Sequence, residues 1–124
     1  MQMKSLCAAV LIAASFGAAT SAHASGTYIT GSIVSQNPVL WFYYPATNKI
    51  KLCYATMGNS LACTALVNGF SSAPNPKNNL QYRVVPAVGA LWIIDTTANT
   101  AVLCQASFSN SAYQITVTRG GGIN

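Results

Sequence analysis

The chain has 124 residues, 52% of them hydrophobic and only 6% charged, with six Lys and Arg against a single acid for a formal charge of +5. Ordinary domains carry about 25% charged residues, so solubility here rests on Ser, Thr, Asn and Gln. With Asp95 as the only acid and no glutamate, paired carboxylates for glycoside hydrolysis and carboxylate-rich metal sites are excluded within one chain.

Residues 1–24 have the layout of a signal peptide. Lys4 gives a short basic start, residues 6–19 are apolar, and Ala22-His23-Ala24 places small residues at the two positions a signal peptidase reads. Cleavage after Ala24 is expected, with an exported mature chain, periplasmic or secreted, that begins at Ser25. The apolar run falls short of the roughly 20 residues of a spanning helix. The next apolar stretch, residues 84–94, is interrupted by Pro86 and Gly89, so no membrane span is expected after cleavage. His23, the only histidine, leaves with the leader, as does Cys7. Histidine-based triads and His metal sites go with it. No catalytic residue, cofactor or metal is therefore expected, since Ser beside Lys49, Lys51 or Lys77, or Cys without His, has no motif support.

Residues 25–124 read as a single all-β domain made of two tandem four-stranded antiparallel repeats. Residues 40–56, LWFYYPATNKIKLCYAT, align without gaps on residues 91–107, LWIIDTTANTAVLCQAS, at an offset of 51. Leu40, Trp41, Asn48, Leu52, Cys53 and Ala55 recur as Leu91, Trp92, Asn99, Leu103, Cys104 and Ala106. Repeat one spans residues 28–67, with strands at 28–34, 39–44, 49–55 and 61–67. Repeat two spans 80–118, with strands at 80–85, 90–95, 100–106 and 112–118. All are rich in Val, Ile, Tyr, Trp and Thr and bounded by Gly, Pro, Asn and Ser. A linker is expected at 68–79 and a fraying glycine-rich tail at 119–124.

The second strand of each repeat is apolar on both faces: Val39, Trp41 and Tyr43 against Leu40, Phe42 and Tyr44, then Trp92 and Ile94 against Leu91 and Ile93. Such strands are normally covered on both sides, which points to a sandwich or barrel, or to two propeller-like blades. Burial in the core or in a subunit interface is thus the leading expectation for Trp41, Tyr43 and Trp92, with a ligand platform as the sharper one. Asp95, which opens a turn, is expected to bond nearby backbone amides, and a ligand contact is the alternative. Asn48 and Asn99 end tight turns and are expected at positive φ, where Gly would substitute nearly silently. If the third and fourth strands of repeat one form a hairpin around Gly58, Cys53 faces Cys63, as a disulfide requires. The same geometry sets Gln114 opposite Cys104 and leaves that thiol unpaired, either buried or available to a partner.

The segment LWIIDTTANTAVLC resembles the D-T-x-T-G turn and following strand of β-propeller blade repeats, and short exported bacterial proteins with a W-x-x-D-T-x-T-G-like segment before a Cys. Asn99 stands where that repeat usually has Gly, and the first copy has Tyr44-Pro45 in place of Asp-Thr. The resemblance implies blade-like sheets. Two blades are too few to close a ring, and two-blade proteins complete one by oligomerising, some of them as sugar-binding lectins with Arg and Glu in their sites.

The function expected first is therefore a non-catalytic binding or structural protein of the envelope or secretome that associates with a protein partner or with itself. A carbohydrate-binding, lectin-like module that oligomerises is the alternative. Five scattered cations do not make the basic stripe of a nucleic-acid binder.

Overall fold

The structure is a computed structural model that describes residues 20–23, 26–86 and 88–122. Most of the expected leader, and the expected new terminus Ser25, lie outside the described residues. The strands are β1 (Thr20–His23), β2 (Tyr28–Val34), β3 (Asn37–Tyr44), β4 (Lys49–Ala55), β5 (Leu61–Cys63), β6 (Val67–Asn68), β7 (Asn79–Val85), β8 (Ala90–Asp95), β9 (Thr100–Ser109) and β10 (Ala112–Gly121). They form two antiparallel sheets, β2-β3-β4-β5 with β6 also on β4, and β1-β7-β8-β9-β10. The protein is all-β, one sheet per repeat. Among the described residues there is no helix, hence none long and apolar enough to cross a membrane.

Local turn chemistry explains the meanders. Ser35 and Gln36 (φ 50° and 68°) and Asn110 and Ser111 (φ 52° and 63°) are pairs of consecutive residues at positive φ. That is the two-residue turn whose twist matches antiparallel strands. Asn48 and Asn99 sit at φ 57° and 59°, as their place at the end of a turn predicts. Equivalent bonds tie the two copies beyond those turns, Gly69 N donating to Asn48 O and Gly122 N to Asn99 O.

Three details depart from the sequence reading. The fourth strand of repeat one is split. Cys63 faces Cys53 and Val67 faces Ile50, so Thr64, Ala65 and Leu66 oppose only Lys51 and Leu52, a β-bulge of one extra residue. There Thr64 Oγ1 accepts from Leu52 N at 3.1 Å while Thr64 N donates to Leu52 O at 2.8 Å. Cys104 pairs with Val117 and not with Gln114, because β9 runs on to Ser109 before the tight Asn110-Ser111 turn and the hairpin is longer than its counterpart. The expected tail is strand as far as Gly121, paired with Thr100, and the expected linker contributes β6 at one end and the start of β7 at the other.

One core lies between the sheets. Val39, Trp41, Tyr43, Ile50 and Leu52 enter it from the first, and Leu80, Tyr82, Leu91, Ile93, Val102 and Cys104 from the second. The repeat is not mirrored across this core. Trp41 is fully buried while its equivalent Trp92 is half-buried on the far side of β8, and Leu91 is fully buried while its equivalent Leu40 is 44% exposed. The sheets stack front to back. Across the gap, Trp41 Nε1 donates to Gly89 O at 3.0 Å, Tyr113 Oη donates to Val34 O at 3.2 Å, and the Tyr28 and Tyr82 rings stack at 3.8 Å. Gly89 has φ 65°, and a Cβ there would collide with Ile33 O and Val34 Cγ2. Only glycine allows the two sheets to approach at that point.

Candidate functional site

Asn48, Asp95 and Arg119 meet at one end of the sandwich, where the turn after each second strand meets the 69–78 segment. Asn48 is held there as a mimic of extended backbone. Its Oδ1 accepts from Phe70 N at 2.8 Å and from Tyr43 Oη at 3.0 Å, and its Nδ2 donates to Phe70 O at 2.7 Å. Phe70 is thereby drawn into the core against Tyr43. Burial, with Tyr82 and other ionisable neighbours adding to it, moves the Tyr43 hydroxyl well above its ordinary value.

Asp95, the one acid, is 2% exposed. Its Oδ1 accepts from Thr97 N at 3.1 Å and Ala98 N at 2.9 Å, and its Oδ2 from Asn78 Nδ2 at 2.8 Å. The carboxylate thus serves the turn that it opens and ties the 69–78 segment to it. Arg119, from the end of β10, donates from Nε to Gly69 O at 2.6 Å and from Nη2 to Asn68 O at 3.1 Å. Between these groups lies a cleft of about 410 Å³, walled by Phe70, Asn78, Asp95, Ala98 and Arg119. The guanidinium and the carboxylate that face it already have backbone partners.

A second, shallower hollow of about 320 Å³ lies on the outer face of the β7-β8-β9 sheet, where Trp92 and Ile94 are flanked by Gln81, Arg83 and Ala101. Trp92 Nε1 has no hydrogen-bond partner among the described residues. The outer face of the other sheet carries Ile29 (53% exposed), Ile33 (60%) and Leu40, with Lys51 Nζ lying 5.0 Å from the Phe42 ring centroid and 5.7 Å from that of Tyr44.

Comparison with protein-family models, curated proteins and solved structures gives no match. Function must be read from these residues alone.

Cys53 and Cys63 are joined at disulfide distance, with Cα atoms 4.0 Å apart. Cys104 is a free thiol sealed in the core. Burial pushes its pKa up to about 12, against a smaller lowering effect from Arg119, so it is neither nucleophilic nor open to a partner. Trp41 and Tyr43 are both fully enclosed between the sheets, where no ligand reaches them, and of the two Trp only Trp92 faces outward. Among the described residues no group of three His, Cys, Asp or Glu is placed to hold a metal. The clamp on Phe70 and the reach of Arg119 join residues far apart in sequence and carry no local motif. The one available signal was that Phe70 is the sole aromatic in an otherwise polar segment, which argues for an anchor and not a free linker.

Proposed function

We propose that this protein is a non-catalytic binding or structural protein, exported to the envelope or beyond. The observation that supports this most is the use of Asp95: the chain's only acid has both oxygens occupied by its own turn and by Asn78. A general acid or base needs a group free to exchange protons with substrate, and the core-sealed Cys104 thiol offers no substitute. The test is turnover of ester, peptide, glycoside and phosphate substrates by the purified protein. No turnover is expected, and turnover abolished by Asp95→Asn or Cys104→Ala would overturn the reading. Export is tested by intact mass of the protein recovered outside the cytoplasm, expected to begin at Ser25.

Carbohydrate binding is the second reading, favoured by the outward Trp92 indole with Gln81 and Arg83 beside it, an aromatic platform flanked by hydrogen-bonding side chains. A glycan array hit lost in Trp92→Ala with the fold intact would support it, and no hit would dismiss it.

A further inference from the structure

Among the described residues, front-to-back stacking leaves two faces open, and the internal repeat says what each is shaped to meet. Inside the chain, the covered pair is the tryptophan face of repeat one (Trp41, Tyr43, Leu52) against the leucine face of repeat two (Leu91, Ile93, Cys104). At the 51-residue offset, the outer face of repeat one, with Leu40 and Phe42 open and Cys53 buried in its disulfide, is the counterpart of that covered leucine face. The open outer face of repeat two (Trp92, Ile94, Leu103) is the counterpart of the covered tryptophan face. Leu40, Trp92 and Leu103 are identical in type to the Leu91, Trp41 and Leu52 that already pack together in the interior.

We infer that a second copy of this chain docks its Leu40-Phe42 face on the Trp92-Ile94 face of the first, repeating between molecules the contact made inside each. Three observations carry it. Both open faces carry an apolar strip, Leu40 and Phe42 beside Lys49 and Lys51 on one and Trp92, Ile94 and Leu103 beside Gln81 and Arg83 on the other, on a chain with 6% charged residues, and monomers rarely leave large contiguous apolar patches open. Among the described residues Trp92 Nε1 lacks the acceptor that its equivalent Trp41 finds at Gly89, in the turn ahead of β8. The matching turn ahead of β3, at Ser35 and Gln36, is exposed and would face Trp92 in the docked copy, with side chains where the interior contact has Gly89. Charged departures are Lys49 and Lys51, which stand where the covered leucine face has Thr100 and Val102, and Arg83, which at the same offset stands where the covered tryptophan face has Ser32. For Lys51 the departure is accommodated. Its ammonium already lies over Phe42 and Tyr44, and its long stem lets the charge reach the rim while the methylenes pack. The strand β1 pairs along the edge of β7, in the plane of the sheet.

The two faces lie on opposite sides of the sandwich, on the outer sides of different sheets, so two copies cannot satisfy both at once about a twofold axis. The contact closes only as a ring of three or more, or it continues as a fibre. This deepens the non-catalytic reading by naming the partner, and rests on it in treating the Trp92 face as a contact surface and not as a substrate site.

The experiment is the solution mass of the purified protein over a concentration series, with two one-face variants, Leu40→Lys and Ile94→Lys. The wild type should reach the mass of three or more chains. Each variant alone should be monomeric, because every molecule lacks the same half of the contact. Mixed, the two should form a one-to-one dimer and nothing larger, because one intact face remains on each. Ile33→Lys with Leu103→Lys repeats the design should either first variant fail to fold. A wild-type monomer, a dimer that does not grow with concentration, or folded variants that stay monomeric when mixed would overturn the inference. Substrate turnover would overturn the function proposed above without touching assembly, and a monomer would do the reverse.

Discussion

Trp41 and Trp92 hold equivalent places in the repeat and point in opposite directions. The first is enclosed between the sheets with Nε1 3.0 Å from Gly89 O, and the second lies half-buried on the outer face of β8. Trp41→Ala should cost about 3–5 kcal/mol, the usual range for emptying a buried aromatic site. Trp41→Phe should still cost about 1–3 kcal/mol by leaving the Gly89 carbonyl unpaired. Trp92→Ala should cost about 1 kcal/mol or less when urea unfolding is measured at low protein concentration. Equal losses at the two positions would contradict the front-to-back stacking.

The two turn asparagines should part company on substitution. Asn99→Gly is expected within about 0.5 kcal/mol of wild type, because its Oδ1 has no partner among the described residues and Gly adopts positive φ freely. Asn48→Gly keeps the backbone but deletes three hydrogen bonds to Tyr43 and Phe70, and should cost about 2 kcal/mol. A silent Gly is thus expected at Asn99 and not at Asn48. Thermal melts of the two variants side by side check it.

Alkaline pH should unfold this protein through its core. The Cys104 pKa rises from 9.0 to about 12 on folding, so below pH 9 the thiol is neutral in both states and its contribution is complete. As pH climbs toward about 12, the unfolded chain releases a proton that the folded chain retains. Stability then falls by up to about 1.4 kcal/mol per pH unit. The Tyr43 and Tyr82 hydroxyls, also displaced upward by burial, join this loss above pH 10. Cys104→Ala should remove the decline between pH 9 and 10 and leave the steeper part. In peptide maps of the native protein, Cys53 should be found joined to Cys63 and Cys104 should alkylate only after unfolding.

β1 covers the edge of β7, with Thr20 opposite Tyr82 and His23 opposite Asn79. Removal of residues 1–24 would take that strand away and leave β7 as an open edge. Hydrogen exchange at 79–85 should therefore be faster in the processed chain than in the full chain, while exchange at 90–95, flanked by β7 and β9, should be unchanged. Equal protection of 79–85 in both forms would show that the edge is covered by something else.

Much of the architecture was local in sequence and so legible there. The order of strands within each sheet, the positive φ of Asn48 and Asn99, and the meeting of Cys53 with Cys63 all follow from alternation and turn residues within a dozen positions. What the sequence could not decide was which face of β3 and β8 turns inward. Alternation selects a face only when one side is polar, and here both are apolar, so Trp41 went in and Trp92 out by the packing of one sheet on the other. The same holds for Phe70, drawn into the core by Asn48 from 22 residues away, and for Arg119, whose guanidinium reaches Gly69 across 50 residues. Those partners become neighbours only once the sheets have stacked, because the hydrophobic driving force fixes how much surface is buried and leaves to shape and close packing which surface it is.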